Sequence, residues 1–233
     1  MEDWWKRAVA EAIGTALLLA AVVGSGIMGE RLANGNIAIA LLANTIATGA
    51  ALIALILTFG PISGAHFNPA VTLADAAMHG LPWRAVPVYI LAQCVGAVGG
   101  VISAHLMFGL SLFSLSTHVR SGSAQVFSEF VATFGLLAVI WGCSRTQLSN
   151  VPYAVGAYIT ASYWFTGSTS FANPAVTIAR SLTNTFAGIR PNDVFGFIIA
   201  QLAGAAAATW FFHWLRPNIS ASAKQIVVPM EQP

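Results

Sequence analysis

SGAHFNPAVTLADA, residues 63–76, and STSFANPAVTIARS, residues 168–181, share one pentapeptide, Asn-Pro-Ala-Val-Thr, at Asn68–Thr72 and Asn173–Thr177. Asn is a strong helix N-cap. Pro suits the first helical position, where the N–H it lacks would be unpaired anyway. Each copy therefore opens a short helix, over roughly residues 68–79 and 173–184. Neither is long enough to cross a bilayer, which takes about 20 residues. Both lie in nearly uncharged, apolar surroundings. Irregular backbone at membrane depth persists only where protein buries it or it lines a watery cavity. The two copies read as a pair of half-membrane helices.

The rest of the chain supplies the membrane setting. Of its 233 residues, 57% are hydrophobic and only 8% charged, against about a quarter charged in a soluble domain. Apolar spans lie at roughly 8–28, 37–59, 84–107, 126–145, 152–167 and 194–215. The fold class is an all-α membrane protein: six transmembrane helices plus two half-helices in one domain. The Ser- and Gly-rich stretch FGLSLFSLSTHVRSGSAQ, residues 108–125, reads as a linker between halves. The first repeat covers about 8–110, the second about 126–215, and a polar tail fills 216–233. Lys6 and Arg7 precede an apolar run, as in a signal peptide, but that run carries Glu11 and further spans follow; a retained first helix is expected. A formal net charge of +2 points to no nucleic-acid partner. Cys94 and Cys143 both sit in apolar segments, which argues against a disulfide or metal site. No cofactor is implied.

The repetition reaches beyond the pentapeptide. Glu11 opens the first span in EAIGTALLL and Glu129 the fourth in EFVATFGLL, 118 residues apart (129 − 11). Gln93 in AQCVGAVGG and Gln201 in AQLAGAAAA are 108 apart (201 − 93), and the two motif Asn residues 105 apart (173 − 68). Landmarks recurring in one order mark a duplication. Each half holds three spans, an odd number, so the second copy inserts upside down. An inverted repeat places a functional site near the midplane, between the halves. Half-helices entering from opposite faces bring two positive dipole ends to one spot, with the Asn68 and Asn173 amides as donors. A neutral solute with lone pairs can accept those bonds. A cation meets an electrostatic barrier there.

Basic residues suggest an orientation with both termini cytoplasmic. Lys6, Arg7, Arg84, Arg145, Arg216 and Lys224 then fall inside, against Arg31, Arg120, Arg180 and Arg190 outside, in line with the positive-inside rule.

The paired Asn-Pro-Ala motifs, the SGAHFNPAVT loop and the Glu in the first span of each half resemble the aquaporin family of major intrinsic proteins. The resemblance covers roughly residues 8–215. It implies a homotetramer in the plasma (inner) membrane, with one pore per subunit passing water or small neutral solutes. It further implies that Asn68 and Asn173 are midplane donors within the motifs Asn68-Pro69-Ala70 and Asn173-Pro174-Ala175, and that Glu11 and Glu129 brace the backbone carbonyls of the pore loops.

One departure from the family pattern carries the functional expectation. Most members place Arg directly after the second motif; here the residue is Val176. Arg180 follows one helical turn deeper and is expected to point elsewhere. Counting from the motif Asn residues puts Thr48, Ser170 and Ala161 in the outer filter with Val176, Ile159 and Tyr163 being rivals for the third place. Such a ring is wider than a water-selective one and uncharged, suited to glycerol or to undissociated metalloid acids such as arsenous acid. Tyr163, Trp164 and Phe165 either refill part of that space, giving a water-selective pore, or anchor the membrane interface. His66 is expected as a hydrogen-bonding wall residue of the cytoplasmic vestibule, with gating open to its near-neutral pKa.

Inverted repeats with broken helices also build secondary transporters, which need coupling-ion ligands at the midplane. Asp75 is the one carboxylate close to either motif, and it lies well along its half-helix. A non-conducting scaffold is the third class. No nucleophile–base pair, metal cluster or phosphate loop is legible, so no enzyme is expected.

Overall fold

The computed structural model describes residues 4–144 and 148–215. The polar tail from 216, and with it Arg145, Arg216 and Lys224 of the charge argument, lies outside the described residues. Among the described residues the chain forms eight α-helices. The first half holds α1 (Trp4–Leu32), α2 (Ile37–Ser63), the half-helix α3 (Pro69–Ala77) and α4 (Val86–Met107). The second holds α5 (Ser123–Cys143), α6 (Val151–Phe165), the half-helix α7 (Pro174–Arg180) and α8 (Pro191–Leu215). The two halves pack alike: α1 lies against α2 and α4, and α5 against α6 and α8. Across the halves α2 meets α6, and each half-helix sits between α4 and α8.

Local chemistry sets the boundaries. Asn36 caps α2, its Oδ1 accepting from the Ala38 and Ile39 N–H groups at 3.1 and 3.3 Å. Gly64 ends the same helix at φ +89°, its N–H returning to the Gly60 carbonyl, the usual left-handed terminator. Five long helices, including α4 with its preceding turn, are long and apolar enough to span a bilayer. The expected fifth span, α6, has only 15 residues. A 3₁₀ turn at Leu148–Asn150 precedes it, and at 1.5 and 2 Å of rise per residue the two together reach roughly 28 Å, close to the hydrocarbon thickness. The outward faces are apolar: Leu91 and Val95 of α4, with Phe195, Ile199 and Trp210 of α8, are all more than half exposed.

Small residues let the helices close on one another. A Cβ on Gly100 would stand 2.2 Å from the Ala16 carbonyl oxygen, and one on Gly204 would stand 2.4 Å from that of Phe130. Gly49 and Gly156 mark the crossing of α2 and α6, each too close to the other's carbonyl to accept a side chain. Replacing Gly100 with Val should therefore cost about 1–3 kcal/mol of overpacking, read as a lower melting temperature in detergent. Unchanged melting would contradict the α1–α4 contact.

Candidate functional site: the paired Asn-Pro-Ala loops

Each half-helix begins as the sequence dictates. Asn68 Oδ1 accepts from the Ala70 N–H at 2.9 Å, and Asn173 Oδ1 from those of Ala175 and Val176 at 3.0 and 3.3 Å. Pro69 and Pro174 occupy the first helical positions. Both Asn side chains cap the start of a half-helix with their oxygen and so turn their amide nitrogens away from it. Asn68 Nδ2 donates to the Ala172 carbonyl and Asn173 Nδ2 to that of Phe67, each at 2.7 Å. This reciprocal pair fixes the half-helices end to end. Each amide keeps a second N–H, and both Asn residues line one internal cavity.

The loops before the motifs are built from strained backbone. Ala65 and Phe67 have φ of +48° and +50°, and their equivalents 105 residues on, Ser170 and Ala172, have +48° and +49°. Left-handed backbone at non-glycine residues costs about 1–3 kcal/mol each unless the surroundings hold it. The carboxylates do the holding. Glu11 accepts from the N–H groups of His66 and Phe67 at 2.9 and 2.7 Å, from Ser63 Oγ at 2.6 Å and from Gln93 Nε2 at 2.8 Å. Glu129 accepts from Phe171, Ala172 and Gln201 at 2.9, 2.8 and 2.6 Å. Gln93 and Gln201 then donate to Thr72 and Thr177 of the half-helices, both at 2.9 Å. Thr72 and Thr177 in turn donate to the Asn68 and Asn173 carbonyls at 3.1 and 2.8 Å, so the three landmark pairs of the repeat meet in two matching networks. The contact differs from the expected bracing of carbonyls: the carboxylate oxygens accept, and what they hold is the loop N–H groups.

The cavity wall repeats as well. Leu18 and Val22 face it from α1, and Leu136 and Ile140 from α5, again at an offset of 118 (136 − 18, 140 − 22). Val71 and Val176, the fourth residues of the two motifs, both line it. An apolar wall thus faces a polar strip of Asn amides and loop backbone.

Of the four residues expected in the filter, Thr48, Ser170 and Val176 line the cavity. Ala161 is exposed on the far side of α6, and its place is taken by the rivals Ile159 and Tyr163. Two residues along a helix is a turn of about 200°, so Ala161 and its second neighbours cannot share a face. Tyr163 is buried and its hydroxyl donates to Thr48 Oγ1 at 3.4 Å. The aromatic cluster divides accordingly: Tyr163 enters the wall, whereas Trp164 and Phe165 are about half exposed. Arg180 also differs from expectation. It is buried, lines the same cavity, donates from Nε to the Ala187 carbonyl, and its guanidinium stacks 3.4 Å over the Phe171 ring. The cavity that Val176 lines is therefore not uncharged.

His66 lines the same cavity. Its Nδ1 lies 3.1 Å from Thr72 Oγ1 and its Nε2 lies 3.5 Å from Asp75 Oδ2. The partnership with Asp75 was not legible from sequence. Nor was the part played by the linker. Its Ser114 and Ser116 N–H groups donate to the Leu182 and Ser181 carbonyls, and Arg120 donates to Gly188 and Ser168 beneath the second loop. His105 bonds Thr183 through Nε2 at 2.7 Å. Among the described residues Cys94 and Cys143 form no disulfide, and both pack against the core.

Comparison with known proteins agrees with this geometry. The family described as Major intrinsic protein matches residues 1–161. Aquaglyceroporin AqpS of Rhizobium meliloti (strain 1021) is 56% identical over 213 residues, 91% of each chain. Aquaporin NIP1-1 of Oryza sativa subsp. japonica is 35% identical over 218 residues, 91% of this chain and 74% of that one. Among solved structures, the aquaglyceroporin from Plasmodium falciparum superposes with a TM-score of 0.72 at 20% identity, covering 94% of this chain and 100% of that one; at that identity the likeness concerns the fold. The chain belongs to the major intrinsic protein family and is an integral membrane channel for water and small solutes.

Proposed function

We propose that the channel is of the aquaglyceroporin type, passing small uncharged solutes wider than water: glycerol, and undissociated metalloid acids such as arsenous acid. The observation that carries this reading is Val176, buried in the cavity wall where most of the family has Arg and facing the same space as Thr48 and Ser170. The likeness to a protein named as an aquaglyceroporin supports it. Asn68 and Asn173 act as the midplane donors, offering their second N–H groups to the solute in transit. Glu11 and Glu129 keep the loops in shape, and the two half-helix dipoles oppose cations. The channel works as a homotetramer with one pore per subunit, in the plasma (inner) membrane, with both termini cytoplasmic. Val176 and Arg180 then lie toward the outer mouth and His66 toward the inner one.

The test is Val176→Arg. The substitution narrows the ring and adds a charge with five donors. Water should still pass, while glycerol and arsenous acid slow, so that the water-to-glycerol permeability ratio in proteoliposomes rises by about tenfold. An unchanged ratio would remove Val176 from the filter.

A further inference from the structure

Arg180 has no role in the family pattern, yet it is the charged side chain closest to Val176 along α7 and lines the same cavity. Helical side chains lean toward the N-terminus and cover the turn before their own Cα. The Arg180 side chain runs that way: its guanidinium lies over Phe171, two residues before the Asn173 cap, and it lines the same cavity as Val176, four residues earlier on α7. Its position is fixed from several sides. Nε donates to the Ala187 carbonyl, the planar face rests on Phe171 at 3.4 Å, and the Arg180 carbonyl accepts from the Ile189 N–H at 3.2 Å. A second guanidinium, that of Arg120, lies 5.1 Å from the same ring, held by the Gly188 carbonyl at 2.8 Å and the Ser168 carbonyl at 3.1 Å. Among the described residues no protein acceptor takes the terminal Nη groups of Arg180. Ser170 Oγ, on the same cavity, is likewise without a protein partner.

We propose that Arg180 is a specificity-determining residue of this channel. From the end of α7 it supplies the positive charge that Val176 does not, and its free N–H groups recognise neutral, oxygen-rich solutes such as polyols and undissociated oxyacids. Where one Arg after the motif sets both width and charge, here the two tasks are divided. Val176 leaves the pore wide; Arg180, stacked on Phe171 beside Arg120, excludes cations and offers donors. The inference rests on the wide-pore reading above, and its test reads a different quantity.

Potassium leak and glycerol uptake are measured in proteoliposomes for the wild type, Arg180→Gln, Arg180→Lys and Arg180→Gln/Val176→Arg. Arg180→Gln should raise the potassium leak by about tenfold while glycerol still enters, because what remains is the half-helix dipoles and the Arg120 guanidinium, whose donors are taken by the Gly188 and Ser168 carbonyls. In the double variant the relocated guanidinium should bring the leak back to the wild-type level and slow glycerol. Arg180→Lys should keep the leak low. A wild-type leak in Arg180→Gln, or a raised leak that Val176→Arg does not suppress, overturns the proposal. If Arg180→Gln fails to assemble, Arg180→Lys decides. A charge role leaves it assembled and tight to potassium, whereas a clamp that needs the planar guanidinium fails with it, which also overturns the proposal. Absence of glycerol entry in the wild type would defeat the wide-pore reading and leave the leak comparison to judge Arg180 separately.

Discussion

Replacing Glu11 or Glu129 with Ala should abolish stable assembly, because several buried donors lose their acceptor at once, at about 1–3 kcal/mol each. Both side chains are fully buried. Without Glu11, the N–H groups of His66 and Phe67, the Ser63 hydroxyl and the Gln93 amide lose their acceptor together. Water cannot easily replace it among packed helices, and each orphaned donor carries a desolvation penalty of about 1–3 kcal/mol. The left-handed residues Ala65 and Phe67 would then lack the contacts that keep them strained. Glu→Gln retains one acceptor oxygen, introduces two donors and loses the charge that strengthens such bonds, so an intermediate loss is expected. Yield and melting temperature in detergent provide the measure. Normal expression and conduction of the Ala variants would reduce these carboxylates to ordinary helix residues.

Asn68→Ala and Asn173→Ala should come next in size. Each removes a cap worth about 1 kcal/mol and a cross-repeat bond, Nδ2 to the Ala172 or Phe67 carbonyl, which leaves a buried acceptor unpaired at about 1–3 kcal/mol. Asn→Ser separates the roles, since a hydroxyl still caps the half-helix but cannot reach as far with a donor. The Ser variants should melt above the Ala variants and share their loss of glycerol permeability. Equal permeability in the wild type, Ser and Ala forms would deny the Asn amides any part in conduction.

Much of this architecture was legible because the chain states it twice. Glu11 and Glu129, Asn68 and Asn173, and Gln93 and Gln201 were found as repeats, and the structure gathers them into two matching networks. The short helices after each Asn-Pro followed from capping chemistry that acts within a few residues. The filter was harder to read. Counting along the sequence reached Thr48 and Ser170, but on α6 an error of two residues turns the side chain to the opposite face, which is how Ala161 displaced Tyr163. Arg180 was expected to lie away from the pore because its Cα is a turn beyond Val176; the backward lean of a long helical side chain reverses that expectation. Arg120 and His105 act through irregular segments at long range, bonding Gly188 and Thr183. Contacts of that kind leave no periodicity in the sequence. The pairing of His66 with Asp75 belongs with them, since nine residues and a change from loop to helix separate the two.

Uptake by the unmodified protein decides whether the pore at Val176 is wider than water. Wild-type protein in liposomes is mixed in a stopped-flow light-scattering instrument with an inward gradient of glycerol and, separately, of arsenous acid. A wide pore gives shrinkage as water leaves, followed by rapid reswelling as the solute enters, several times faster than in protein-free liposomes. Fast shrinkage with reswelling no faster than in protein-free liposomes, for either solute, would contradict it and leave Tyr163 and Arg180 closing a water-selective channel.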